Sequence, residues 1–140
     1  MQNRTMSNQQ SPHQSAPDAA PETARQAVPV VVAMCTCPDE ATAGSIAAAL
    51  VNEGLATCIN RISGLRSTYL WDGRLHDDQE ILLLMKTTAP RLAAIEARLR
   101  QLHPYELPEL LAIPAAGGNE RYLDWVRQGV LHKGNSSEQS

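Results

Sequence analysis

No cluster of positive charge runs through this sequence. Its 12 Lys and Arg residues stand singly among 15 acids, for a formal net charge of −3. A nucleic-acid binder concentrates cations on one face to neutralise phosphates, so nucleic acid is excluded as a partner. No stretch approaches the ~20 apolar residues of a membrane span. The first 27 residues have neither a basic start nor an apolar segment of the secretory kind. Three cysteines cannot all pair with one another, and without a secretory signal they read as reduced thiols in a cytoplasmic protein. Catalytic signatures are also missing. Gly117-Gly118 leads into a helix without the basic residue of a phosphate loop, no G-x-S-x-G elbow occurs, and "CPDE" places two acids where a phosphate cradle needs an arginine. With no activated nucleophile or tuned base in view, the chain is expected not to be an enzyme.

What is present reads as one soluble domain with one core. Residues 1–27, with Pro12, Pro17 and Pro21 among polar neighbours, are expected to be a disordered tail, because ordering them costs entropy without burial. The folded domain is expected over residues 28–130, and residues 131–140 as a second flexible tail. Val28 to Thr36 is apolar on both alternating faces, as in a central strand covered on two sides, and Cys35 and Cys37 share one face. A helix follows, with Pro38 expected at its first position, a stripe of Ile46, Ala47, Leu50 and Val51, and Gly54 as a left-handed stop. The chain is then extended from Ala56 to Trp71, turns at Asp72-Gly73, and returns as a strand from Leu75 to Thr87. Pro90 opens a second helix striped by Leu92, Ile95, Leu99 and Leu102, and Pro104 ends it. "ELPELLAIPAA" (residues 106–116) is a short strand that its prolines confine to an edge, and Asn119 caps a last helix carrying Tyr122, Leu123, Trp125 and Val126.

This order predicts an α+β fold, a ferredoxin-like βαββαβ sandwich with an additional C-terminal helix. Two helices cover only one face of such a sheet, whereas Ile81 to Met85 is apolar on both. The bare face calls for a partner, and identical copies would supply one.

"CTCPDEATAGSIAAALVNEGLATCIN", "YLWDG", "EILLLMKT", "HPYELPELL" and "NERYLDWV", in that order and spacing, resemble the CutA family of divalent-cation-tolerance proteins over about Val31 to Val130. The resemblance implies a protomer similar to the PII signalling proteins, assembled as a tight homotrimer. It also implies an association with copper or another divalent cation, carried by Cys35, Cys58 and His103, whose soft thiolate and imidazole donors suit copper or zinc. The bland readings stand beside it: Cys35 and Cys58 as core filling, and His103 as a polar residue at a helix C-terminus. Cys37 and Thr57 depart from the family pattern, as does the 27-residue front. C-x-C alone lacks the second ligand pair of a structural zinc site, and Cys37 reads as a small buried residue where strand gives way to helix.

Trp71, Lys86, Tyr105, Glu109 and Trp125 stand in the most family-specific stretches. They are candidates for a small-ligand site in a cleft between subunits, with interface packing as the plain alternative. No organic cofactor is expected. The function expected is trimeric, non-catalytic binding of a copper-type divalent cation in metal tolerance. The alternative is a PII-like signalling protein that takes an unidentified small ligand or protein partner. A further possibility is a rigid trimeric platform that recruits through its N-terminal tail.

Overall fold

The computed structural model describes residues 28–134, with side chains described through Val130. The expected tail over residues 1–27 lies outside them, as does 135–140. Four strands and three helices follow in the order β1 (Val30–Cys37), α1 (Glu40–Asn52), β2 (Cys58–Trp71), β3 (Arg74–Thr88), α2 (Leu92–Leu102), β4 (Leu111–Pro114) and α3 (Glu120–Gly134). The sheet is antiparallel with order β2-β3-β1-β4. This is the α+β, ferredoxin-like arrangement that the element order predicts.

Alternation along β1 and β3 sorts their side chains onto two faces. Ala33, Cys35 and Cys37 lie opposite Met85, Leu83 and Ile81. All six are buried together with Ala43, Ile46 and Leu50 of α1 and with Ile95 and Leu99 of α2. That is the main core. On the second face Val32, Met34 and Thr36 lie opposite Lys86, Leu84 and Leu82. There α3 covers one end of the sheet, packing Leu123 and Val126 on Val30. The middle is left open: Ile62 is 45% exposed, Leu111 56% and Ile113 52%.

Local chemistry sets the element ends. The N-cap of α1 is Asp39, whose carboxylate accepts the Thr42 N–H at 2.7 Å. Pro38 therefore stands one residue before the cap rather than at the first helical position. A capping carboxylate satisfies a free amide and meets the dipole, a stronger claim on the site than proline's fixed φ. Gly54, at φ 72, is the left-handed residue after α1. Pro90 lies in a 3-10 turn, Ala89–Arg91, that leads into α2. Asp72 and Gly73 both have positive φ in the β2–β3 turn, as a tight hairpin requires.

One irregularity matters for function. Ile62 pairs with Leu82 but Leu65 with Glu80, so two residues, Ser63 and Gly64, oppose one. This bulge moves β2 from even to odd numbering on the second face. Leu65, Ser67, Tyr69 and Trp71 thereby join Cys58, Asn60 and Ile62 on the side of Glu80, Asp78 and His76.

The last helix is fastened by side chains. The Thr57 hydroxyl donates to Val126 O at 2.5 Å, Arg91 Nη2 to Val130 O at 2.7 Å, and Arg127 Nε to Val28 O at 2.9 Å. Gly129 faces Thr57 so closely that a methyl group there would overlap the threonine side chain. α3 runs four residues past Val130, the point at which the apolar periodicity ends, because a helix continues on backbone bonds after its apolar stripe stops.

Candidate metal pocket and acidic cleft

At the end of β1, where the strand leaves the sheet for α1, strand alternation puts Cys35 and Cys37 on the helix-covered face. His103, the residue that closes α2, arrives beside them from the other direction. One donor atom from each of Cys35, Cys37 and His103 lies within 4.8 Å of the other two, and all three residues are buried. Among the described residues this is the single group of three or more His, Cys, Asp or Glu donors that converge.

His103 is held by both ring nitrogens. Nε2–H donates to Thr36 O at 2.8 Å, and Nδ1 accepts the Tyr105 N–H at 3.1 Å. The ring is therefore the neutral Nε2–H tautomer, and its lone pair sits on Nδ1. A ring N–H given to a backbone carbonyl is the usual support of a metal-ligating histidine. The two thiols act on one another. The hydrogen bond to Cys37, then burial, pushes the Cys35 thiol far up, while the same bond lowers Cys37. Glu80 and Glu109 add to the rise at Cys35, and Glu80 and Asp39 oppose the fall at Cys37. The acids around the pocket thus hold back the second deprotonation, and a cation would reverse that effect.

The triad expected from the resemblance is not assembled as such. Cys35 and His103 meet, but Cys58 does not join them. It pairs with Lys86 on the second face. Cys37 takes the third place. The signal for this was the two-residue spacing itself, since C-x-C in a strand puts both sulfurs on one side.

The second candidate site is a cleft of about 760 Å³ at the hairpin end of the second face, walled by Tyr69, Trp71, His76, Glu80, Tyr105 and Glu109, among others. The segment after α2 folds over to form one wall. The Tyr105 hydroxyl donates to Glu80 Oε2 at 2.9 Å, and the Tyr69 hydroxyl to Asp78 Oδ2 at 2.5 Å. Tyr69 stacks on His76 with ring centroids 5.1 Å apart. Burial, then the neighbouring Glu80, raises the Glu109 carboxyl above its ordinary value.

Of the small-ligand residues expected from sequence, Trp71, Tyr105 and Glu109 line this cleft. Lys86 and Trp125 do not. Lys86 lies six residues along β3 from Glu80, opposite Val32 and Cys58, and Trp125 packs with Tyr122 on the α3 end of the sheet. Sequence reasoning missed Glu80 and Tyr69 as cleft residues. An acid at the mouth of the apolar run "ILLLM" was the available signal for Glu80. Tyr69 depends on the bulge.

Comparison with known proteins agrees with this picture. The family described as CutA1 divalent ion tolerance protein matches residues 31–129. The divalent-cation tolerance protein CutA of Thermus thermophilus is 48% identical over 99 residues, which cover 71% of this chain and 96% of that protein. Its namesake in Yersinia pestis (strain Pestoides F) is 39% identical over 101 residues, covering 72% and 85%. The solved structure of CutA from Xylella fastidiosa superposes with a TM-score of 0.70 at 42% identity, over 72% of this chain and 97% of that one. CutA1 from Oryza sativa gives 0.71 at 35% identity, over 73% and 94%. Fold, motifs and extent of match coincide, and the chain belongs to the CutA1 divalent ion tolerance family.

Proposed function

We propose that this protein serves divalent-cation tolerance by holding a soft, copper-type cation at Cys35, Cys37 and His103, as a non-catalytic homotrimer. The observation that carries the reading is the convergence of two buried sulfurs and one imidazole, with the Nε2–H already bonded to a carbonyl. Two thiolates and an imidazole select copper, above all its reduced state, or zinc, over the oxygen-seeking magnesium and calcium. When bound, the cation would take the negative charge of the thiolates, and Nδ1 of His103 would exchange the Tyr105 amide for the metal. Binding then releases protons from the cysteine pair. Three free cysteines among the described residues fit a reducing, cytoplasmic setting.

Assembly follows from the second face. Ile62, Leu111 and Ile113 are about half exposed in the isolated protomer, and an apolar face of this kind, once covered, is the ordinary basis of an obligate oligomer. The test is metal uptake by the full chain under reducing conditions against a chromophoric chelator, with bound metal counted by elemental analysis. One copper or zinc per chain is the expected result, and no uptake in competition contradicts the reading.

A second reading is favoured by the cleft. Its volume lies within the ~300–1,000 Å³ range of small-molecule sites, and its aromatic walls support a PII-like protein that senses a small ligand there.

A further inference from the structure

Glu80 is 5% exposed, and one of its oxygens is occupied by the Tyr105 hydroxyl. The other, Oε1, receives no donor among the described residues, and none of them pairs a cationic side chain with this carboxylate. That oxygen opens into the cleft rather than being sealed from it, and a carboxylate so confined is stabilised by a counter-charge. The cleft it lines supplies none, because no Lys or Arg stands in its wall, while Glu106 and Glu109 add two further acids.

The rest of the wall is aromatic. Trp71 is 45% exposed, Tyr69 39% and Tyr105 37%. Both tyrosine hydroxyls are committed to carboxylates, so what these residues offer an occupant is ring surface. Rings backed by carboxylates attract cations through their quadrupoles, and ammonium groups are the ligands such cages recognise. A metal ion fits less well. It wants several oxygens at one point, yet the cleft acids form no convergent group of three among the described residues.

We infer that the cleft binds an organic ammonium ion, an amine of aliphatic body, with Glu80 as its counter-charge and Tyr69, Trp71 and Tyr105 as its walls. The inference rests on the small-ligand reading of the cleft. It gives that reading a ligand class: a cationic amine rather than a nucleotide or other anion, which Glu80, Glu106 and Glu109 repel.

The experiment is calorimetric titration of the full chain, in its native assembly, with 1,5-diaminopentane and tetramethylammonium. The matched neutral and anionic probes are 1,5-pentanediol and glutarate. The Trp71 indole N–H signal serves as local reporter. The amines should bind at least tenfold tighter than the diol and shift the indole signal. Glu80→Gln, which keeps an acceptor for Tyr105, should weaken them at least tenfold, and Trp71→Leu, at an exposed position, severalfold. Equal affinity for diol and diamine overturns the inference. Preference for glutarate overturns the ligand class while leaving the small-ligand reading standing. Binding of no probe, as when a neighbouring subunit fills the cleft, overturns both.

Discussion

The two faces of this one sheet have opposite fates. Towards α1 and α2, Ala33, Cys35, Leu83 and Met85 are fully buried. Towards the other side the same strands present Met34, Leu82 and Leu84 between a helix at one end and a cleft at the other, with the apolar middle uncovered. Because neighbours in a strand differ only in the direction of Cβ, a shift of one residue changes what a side chain is for. Leu83 lies in the closed core, and Leu84 stands half-buried on the open face. Cys35 and Cys37, on the closed face, form a dry thiol pocket. Cys58, on the open face, stands half-buried opposite Lys86.

The two faces separate most clearly at adjacent leucines. Leu83→Asp should yield no soluble folded protein, because it buries a charge without a partner. Leu83→Ala should cost about 3 kcal/mol of stability by leaving a cavity, measured by denaturant unfolding. Leu84→Asp should instead give a folded protomer by circular dichroism that sediments near the 15.2 kDa of a single chain. If both positions behave alike, the two-face account fails.

A smaller effect tests how α3 is clasped over the second face. Gly129→Ala overlaps Thr57 and should destabilise by about 1–3 kcal/mol, as overpacking does. Thr57→Ala loses the bond to Val126 O at a cost of about 1 kcal/mol. The double variant should be more stable than the sum of the two predicts, since the alanine removes the two nearest overlaps and leaves only the Cβ contact at 2.9 Å. Thermal unfolding of the four proteins reads this directly.

At the hairpin end the comparison sharpens with pH. Burial and Glu80 raise the Glu109 carboxyl, so protonation removes cleft charge at a higher pH than an ordinary glutamate allows. Amine affinity should be full above that raised value and fall as pH drops through it, with Glu80, Glu106, Tyr105 and His76 facing the same space. Glu109→Gln should flatten this part of the profile. The smallest change belongs to the helix entry: Asp39→Ala removes the cap of α1 and should lower the melting temperature by a few degrees, leaving the cleft, which Asp39 does not line, unchanged.

Much of this was legible in the sequence for reasons of period. β3 could not be mistaken, because Ile81 to Met85 is apolar on both alternations, and α2 announced itself through Ile95 and Leu99 at helical spacing. That the second face is apolar followed from the same strand. What stayed hidden depends on pairing between distant segments. Nothing local says that Cys58 sits opposite Lys86, on the far side of the sheet from Cys35. The bulge between Ile62 and Leu65, which alone carries Tyr69 and Trp71 to the side of Glu80, is a property of two strands together. Lys86 and Glu80 do share a face, as alternation requires, yet the length of β3 separates them and only Glu80 reaches the cleft. For His103 the motif was visible, but its bond to the Thr36 carbonyl spans 67 positions of sequence.

The most direct test of the metal assignment is a competition titration of copper and zinc on two single variants, Cys37→Ser and Cys58→Ser, beside the parent protein under reducing conditions. The account predicts that Cys37→Ser loses at least tenfold in affinity while Cys58→Ser binds as the parent does. Loss at Cys58 with Cys37 silent would place the cation on the other face of the sheet and contradict it.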